Sequence, residues 1–386
     1  MVSRLACIIS CLTASVALGQ HDAAAPLDEA LQKIVDAHNV PGLTALLMVD
    51  GEVVQHSAVG LRAIGKPEAF TPDDLVHIGS CTKAMTATLA AMLVEEGLLT
   101  WDSTIGDVLT TIRDDIHAGY RDATLRQLLA HRAGMRTDQD TIRQLWMRYA
   151  AMPADDVDAR LEAVRLALMT EPAAAPGERF DYANLGYIVA ASMMEQVTGT
   201  SWETLMRQRL FTPLGMESAG FGPPGDAATV SQPFGHRAMG TAHIPMPPGP
   251  FADNPAITGP AGNVHCSLVD WAKFALLHSR GAQGADGLPL EPASFDTMHQ
   301  AFARPGEPEG SGYALGWGVS NDPEAGVVLQ HAGSNTMWFA VVTVAVDKNA
   351  IVLTACNAGS DAAQQACAEA SIAMRMIHAA PKAESD

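Results

Sequence analysis

The chain has 386 residues, 48% of them hydrophobic and 17% charged, which is ordinary for a soluble globular enzyme. That length exceeds what one hydrophobic core usually fills, so two lobes are expected. The 43 acidic side chains outnumber the 24 basic ones and give a formal charge of −19, which argues against nucleic acid or an anionic membrane as partner.

Residues 1–4 carry one positive charge, residues 5–18 are apolar, and Ala17-Leu18-Gly19 offers small residues for cleavage. This is the pattern of a secretory signal covering 1–19, with a later cut in Ala23-Ala24-Ala25 as the alternative. The apolar run is too short to span a bilayer comfortably. The expected setting is therefore secreted or periplasmic, with no integral membrane segment after cleavage. Residues 27–38 have helical spacing. Two apolar runs follow, 42–49 and 53–59, joined at Asp50-Gly51, a strong hairpin signal. Residues 83–96 read as a buried helix stopped by Gly97, with Ser80 near its start.

From 102 to 214 the chain reads as mostly helical, with breaks at Gly134, Pro153, Pro176-Gly177 and Pro213. Residues 221–260, rich in Gly and Pro, read as long loops, and 268–279 returns to helix. Strands are expected again at 315–319 and 327–330, then a hairpin of 337–346 and 351–355 turning near Asp347-Lys348-Asn349, and a final helix over 362–377. Strands at both ends and helices between predict an α+β fold: one antiparallel sheet built from both chain ends, flanked by helices, with an inserted helical lobe. The expected division is 20–75 with 308–386 for the α/β lobe and 76–307 for the helical one. Cys81, Cys266, Cys356 and Cys367 remain after signal removal. They read either as four small buried thiols, the preferred reading, or as including a Cys356–Cys367 bridge.

Three short elements carry candidate chemistry. In Ser80-Cys81-Thr82-Lys83 the first and last residues share one helix face, so the amine can reach the hydroxyl. A serine hydroxyl needs a base before it attacks, and a desolvated lysine can serve as one. A helix start also offers backbone N–H groups to a developing oxyanion. Of the six lysines, only Lys83 has a serine three positions before it. Tyr182-Ala183-Asn184 sits at a loop-to-helix junction, where a phenol near an ammonium ionises more easily and can shuttle a proton. Asn184 is a candidate to orient Lys83 or hold a substrate carbonyl. His331-Ala332-Gly333-Ser334 ends the strand expected at 327–330, where Gly333 lets a substrate backbone approach closely. His131 reads as a packed helix-end residue and Cys81 as a small core residue turned away from Ser80.

In this order the elements resemble the penicillin-recognising serine hydrolases: class C β-lactamases, DD-peptidases, D-aminopeptidases and related carboxylesterases. That superfamily carries Ser-x-x-Lys, Tyr-x-Asn and Lys/His-x-Gly. Residues 125–131 with Gly134, Pro213-Leu214-Gly215-Met216, Gly259-Pro260-Ala261-Gly262 and Leu315-Gly316-Trp317 match it as well, over roughly residues 27–374. The resemblance implies Ser80 as nucleophile, Lys83 as proton acceptor and Tyr182 as general acid/base. It further implies Asn184, His331 and Gly333 at the substrate, an oxyanion hole from the Ser80 and Ser334 N–H groups, and neither metal nor cofactor. Class C β-lactamases carry Lys-Thr-Gly where this chain has His331-Ala332-Gly333. A near-neutral imidazole and a missing hydroxyl weaken carboxylate recognition. The expected substrate is a small ester or amide, ester ahead, with a DD-peptidase, a D-aminopeptidase-like amidase or a penicillin-binding sensor as alternatives.

Overall fold

The computed structural model describes residues 27–137, 148, 156–240, 242–302 and 308–379; the expected signal segment lies outside them. The chain forms α1 (Leu27–His38), β1 (Gly42–Val49), β2 (Glu52–Gly60), β3 (Val76–His77), α2 (Thr82–Glu95), α3 (Ile105–Val108), α4 (Leu125–Leu129), α5 (Val157–Leu168), α6 (Asn184–Thr198) and α7 (Trp202–Leu205). There follow β4 (Gly220–Phe221), β5 (Gly235–Met239), β6 (Ala242–Met246), α8 (Gly259–Gly262), β7 (Val264–Cys266), α9 (Leu268–Ala282) and α10 (Pro292–His299). The last elements are β8 (Gly312–Tyr313), β9 (Gly318–Asp322), β10 (Gly326–Ser334), β11 (Phe339–Ala345), β12 (Ala350–Cys356) and α11 (Asp361–Ala379).

The main sheet has seven strands in the order β2-β1-β12-β11-β10-β9-β8, every neighbouring pair antiparallel. Strands from the two ends of the chain meet at β1–β12, so the α+β fold has the sheet expected of it. Both hairpin turns depend on left-handed backbone: Asp50 has φ 52° and Asn349 φ 48°, conformations that Asp and Asn tolerate better than branched residues.

Side chains alternate across the sheet with the two-residue period of a strand. Leu46, Met48, Ala340, Val342, Leu353 and Ala355 enter the core that contains α2. Leu43, Ala45, Leu47, Phe339 and Val352 enter a second core with Leu31 and Val35 of α1 and Ala363, Ala366 and Ala370 of α11. Burial on both faces explains why β1 reads as an unbroken apolar run. A 3.0 Å contact between His38 Nε2 and Glu369 Oε1 links the two outer helices.

Several elements differ from the sequence reading. The strand expected to stop at 330 runs on to Ser334, so that His331–Ser334 forms its last residues, paired with β11 in register His331↔Val342 and Ser334↔Phe339. Residues 221–260 are not all loop, since β5 and β6 pair across them. A three-stranded sheet, β3-β7-β4, also lies among the helices. Cys81, Cys266, Cys356 and Cys367 are all free and buried, and both sulfur-bearing residues Cys356 and Cys367 pack in the α1/α11 core.

A buried ionic cluster ties the helices that lead into the site. Arg160 of α5 is fully buried, pairs with Glu195 of α6 and with Glu203 of α7 at 2.6 Å, and donates to the Ile257 carbonyl at 3.1 Å. Burial pushes the Glu195 carboxyl up to about 7, against the opposing pull of Arg160. Its folded value lies above the ordinary value of about 4.3, so between pH 4 and 7 the folded chain binds the extra proton. Stability from Glu195 is therefore full below about pH 4 and falls as pH rises through 7. Urea unfolding of wild type and Glu195→Gln at pH 5 and pH 8 checks this: the wild type loses stability over that interval, and the variant loses measurably less.

Candidate active site

Ser80 lies in a single 3-10 turn, Gly79–Cys81, that runs directly into α2. Three polar residues of α2, Thr82, Lys83 and Thr86, share a helical face and bind one segment of the facing chain. Thr82 Oγ1 accepts from Val264 N–H at 3.1 Å, and Thr86 Oγ1 donates to the Pro260 carbonyl at 2.8 Å. Lys83 Nζ donates to the Ala261 carbonyl at 2.5 Å and to Ser80 Oγ at 2.9 Å. The Ala261 carbonyl belongs to the single turn α8, whose carbonyl groups lack helical partners.

Lys83 is 0% exposed, and burial lowers its ammonium from the usual lysine range to about 7. No carboxylate pairs with it among the described residues, so desolvation is not offset. Near neutral pH a large share of Lys83 is the free amine, and the Ser80 contact can then run in reverse, hydroxyl donating to nitrogen.

Tyr182 presents its ring 5.0 Å from Lys83 Nζ. Its hydroxyl is sealed from solvent without a formal hydrogen-bond partner, and Ser80 is the side chain that partly relieves it. Burial outweighs any help from the neighbouring amine and pushes the phenol above its usual range. Tyr182 therefore holds its proton at physiological pH and is a donor first. Asn184, by contrast, does not orient Lys83. It opens α6 with an exposed side chain that makes no hydrogen bond among the described residues, leaving it available to a bound molecule.

His331 has both nitrogens occupied by the protein. Nδ1 lies 2.8 Å from the Ala332 carbonyl and Nε2 lies 2.9 Å from the Tyr313 hydroxyl. The consistent assignment is an Nδ1–H that donates to the carbonyl and an Nε2 that accepts from the phenol. Burial, then the charge of Lys83, bring the imidazole down to about 3, so His331 is neutral wherever the protein is folded near neutral pH.

Gly333 and Gly79 allow two backbones to touch. A Cβ on Gly333 would collide with the Ile78 carbonyl oxygen and lie 2.6 Å from Ser80 N; a Cβ on Gly79, whose φ is +51°, would collide with Ser334 N. Ser80 N and the Gly333–Ser334 peptide thus face each other at close quarters. The Ser334 side chain is exposed and accepts from Thr336 N–H at 2.9 Å. Ser80, Lys83, Tyr182, His331, Gly333 and Ser334 are therefore brought to one place, while Asn184 is exposed at the start of α6.

Cys81 is turned into the core, its Sγ 3.5 Å from the His331 carbonyl and 3.9 Å from that of Ala340, and burial pushes its thiol up. His131 follows α4, which Thr124 and Gln127 start with a reciprocal capping box worth about 1 kcal/mol. Its ring lies 4.1 Å from that of Tyr182 and its Nδ1 accepts from Ala183 N–H at 3.1 Å. That packing onto Tyr182, and the Tyr313 partner of His331, carried no local sequence signal.

A nucleophilic hydroxyl at a helix start, a desolvated amine beside it and a buried phenol define a serine hydrolase of the acyl-transfer class. The profile of the family described as "Beta-lactamase" matches residues 27–373, and the chain belongs to that family of serine hydrolases. It is 31% identical over 270 residues to penicillin-binding protein 4 of Amycolatopsis lactamdurans, covering 69% of this chain and 67% of that protein. It is 26% identical over 356 residues to an unguisins hydrolase of Aspergillus campestris, covering 84% of this chain and 62% of that one. The chain thus spans about two thirds or less of these relatives. Among solved structures, the octameric penicillin-binding protein homologue from Pyrococcus abyssi superposes with a TM-score of 0.74 at 22% identity, over 91% of this chain and 76% of that one.

Proposed function

We propose that the protein hydrolyses small neutral esters, and more slowly amides, through an acyl-enzyme on Ser80. The observation that carries this reading is Lys83, buried and within 2.9 Å of Ser80 Oγ. Free Lys83 takes the serine proton as Oγ attacks the carbonyl carbon. Tyr182 gives its proton to the departing alkoxide and regains one from the Lys83 ammonium, restoring the free amine, and water then attacks the acyl-enzyme by the reverse relay. The oxyanion sits between Ser80 N–H and Ser334 N–H.

The neutral-ester preference rests on the third element. His331 spends both nitrogens inside the protein and Ala332 has no hydroxyl, so neither replaces the ammonium and hydroxyl that would hold a carboxylate. Esters come first because an alkoxide leaves more readily than an amine. The relationship to the unguisins hydrolase supports a hydrolytic outcome, with amides as the second substrate class. The charged-then-apolar pattern of residues 1–18 supports an exported enzyme.

The test is turnover of short p-nitrophenyl esters by wild type and Ser80→Ala. The variant should lose about 10³-fold or more in kcat; equal rates in the two proteins would end the proposal. Mass spectrometry after exposure to a penicillin separates the outcomes further: rapid return to the free mass fits a hydrolase, whereas a persistent adduct points to a peptidase or sensor.

A further inference from the structure

Three buried side chains outside the catalytic group form a continuous hydrogen-bond chain beside it. His77 ends β3, Asp253 lies between β6 and α8, and Asn335 directly follows β10. His77 and Asn335 are 0% and 2% exposed, and the Asp253 side chain 5%. Gly79 N–H donates to His77 Nδ1 at 3.2 Å, so that nitrogen carries the lone pair and the ring proton sits on Nε2. Nε2 in turn donates to Asp253 Oδ2 at 2.9 Å. The other carboxylate oxygen accepts from Asn335 Nδ2 at 2.9 Å and from Asn254 N–H at 2.7 Å. Asn335 Oδ1 accepts from Met337 N–H at 3.1 Å and Trp338 N–H at 3.0 Å. Every polar atom of the three side chains is engaged.

The two ends of this chain are the neighbours of the two facing backbone segments. At one end it holds Gly79, the residue before Ser80. At the other it holds Asn335, the residue after Ser334. Between them the Gly333–Ser334 peptide abuts Gly79. We infer that His77, Asp253 and Asn335 are positioning residues that fix the spacing between Ser80 N–H and Ser334 N–H, and so hold the oxyanion pocket at the width of a tetrahedral centre. This rests on the acyl-enzyme reading above. The two N–H groups belong to a 3-10 turn and a strand end that are 254 residues apart in sequence; beside the direct packing of Gly333 on that turn, a buried, fully paired polar network fixes their spacing.

Asp253→Asn is the informative change, because it keeps the shape and turns one acceptor into a donor. An amide cannot accept from His77 and from Asn335 while presenting its own NH₂ to one of them. Either a donor faces a donor, or the His77 ring moves its proton to Nδ1 and opposes Gly79 N–H. The probes are p-nitrophenyl acetate and phenylboronic acid. In the boronate adduct an Oγ–B bond forms, the serine proton passes to Lys83 and boron becomes a tetrahedral anion with one oxygen in the pocket. We expect kcat to fall about 10–100-fold, boronate inhibition to weaken by a similar factor, KM to stay within about threefold, and Tm to move by only a few degrees.

Wild-type kcat and boronate affinity in Asp253→Asn would overturn the inference, as would a lowered Tm with unchanged boronate affinity per titratable site, the signature of a packing role. Should Asp253→Asn fail to fold, His77→Asn replaces it. Its short amide can still accept from Gly79 N–H two residues on but no longer reaches Asp253. It should show the same changes in weaker form, and full boronate affinity there would equally overturn the inference. Failure of the wild type to bind boronate, or hydrolysis by Ser80→Ala at the wild-type rate, condemns the acyl-enzyme reading itself and this inference with it, and is recognisable because it does not involve Asp253.

Discussion

Lys83→Met lowers kcat for p-nitrophenyl esters by about 10³–10⁴-fold, the range expected when a general base is lost, while the folded structure survives because methionine fills most of the same apolar space. The wild-type profile of kcat/KM against pH carries the same information. Lys83 accepts the serine proton only as the free amine, so activity climbs as pH rises through about 7 and falls away below it. His331, held down to about 3, contributes no limb between pH 4 and 9. The linkage to stability has a definite sign. The folded value of Lys83 lies below the unfolded value of about 10.4, so between pH 7 and 10 the unfolded chain holds more protons. Stability attributable to Lys83 therefore rises with pH across that window and is lowest below 7. Lys83→Met removes that slope, which urea titrations at pH 6 and pH 9 measure directly. A variant with wild-type kcat, or a wild-type profile flat from pH 5 to 9, rules out Lys83 as the base.

Gly333→Ala is expected to cost about 10²–10³-fold in kcat, comparable with the removal of an oxyanion donor, and about 2–4 kcal/mol of stability. The added methyl has no side chain to push aside. It meets the Ile78 carbonyl, and Ser80 N and Cys81 N at 2.6 and 2.9 Å. Relief requires β10 to move away from the serine turn, which widens the space between the two N–H groups. The readouts are kcat per titratable serine and the urea midpoint. An alanine variant with wild-type values in both would show that the close approach of these strands is dispensable.

What the sequence disclosed follows from how local each cause is. The hairpins were legible because Asp50-Gly51 and Asn349 sit where the chain must turn left-handed. The apolar strand runs, the outer helices and the Ser80–Lys83 pair are likewise set by residues close together in sequence. The β5–β6 hairpin escaped notice because His236, Arg237, His243 and Pro245 give no apolar alternation, and strands of two residues such as β3 and β4 are too short to show a period. The burial that raises the Tyr182 phenol had no sequence signal, because burial is a property of the assembled lobe and not of its neighbours in sequence. The His77–Asp253–Asn335 chain was invisible for the same reason: its links join residues 176 and 82 positions apart.

The β-layer has a practical corollary. α1 and α11 cover the face turned away from α2, so residues 27 and 379 both lie across the sheet from Ser80. A tether fused beyond residue 379, or a resin coupled through it, is insulated from the reaction centre by a continuous wall of hydrogen-bonded strands. Immobilised in that orientation, the enzyme presents its reactive mouth to the bulk liquid.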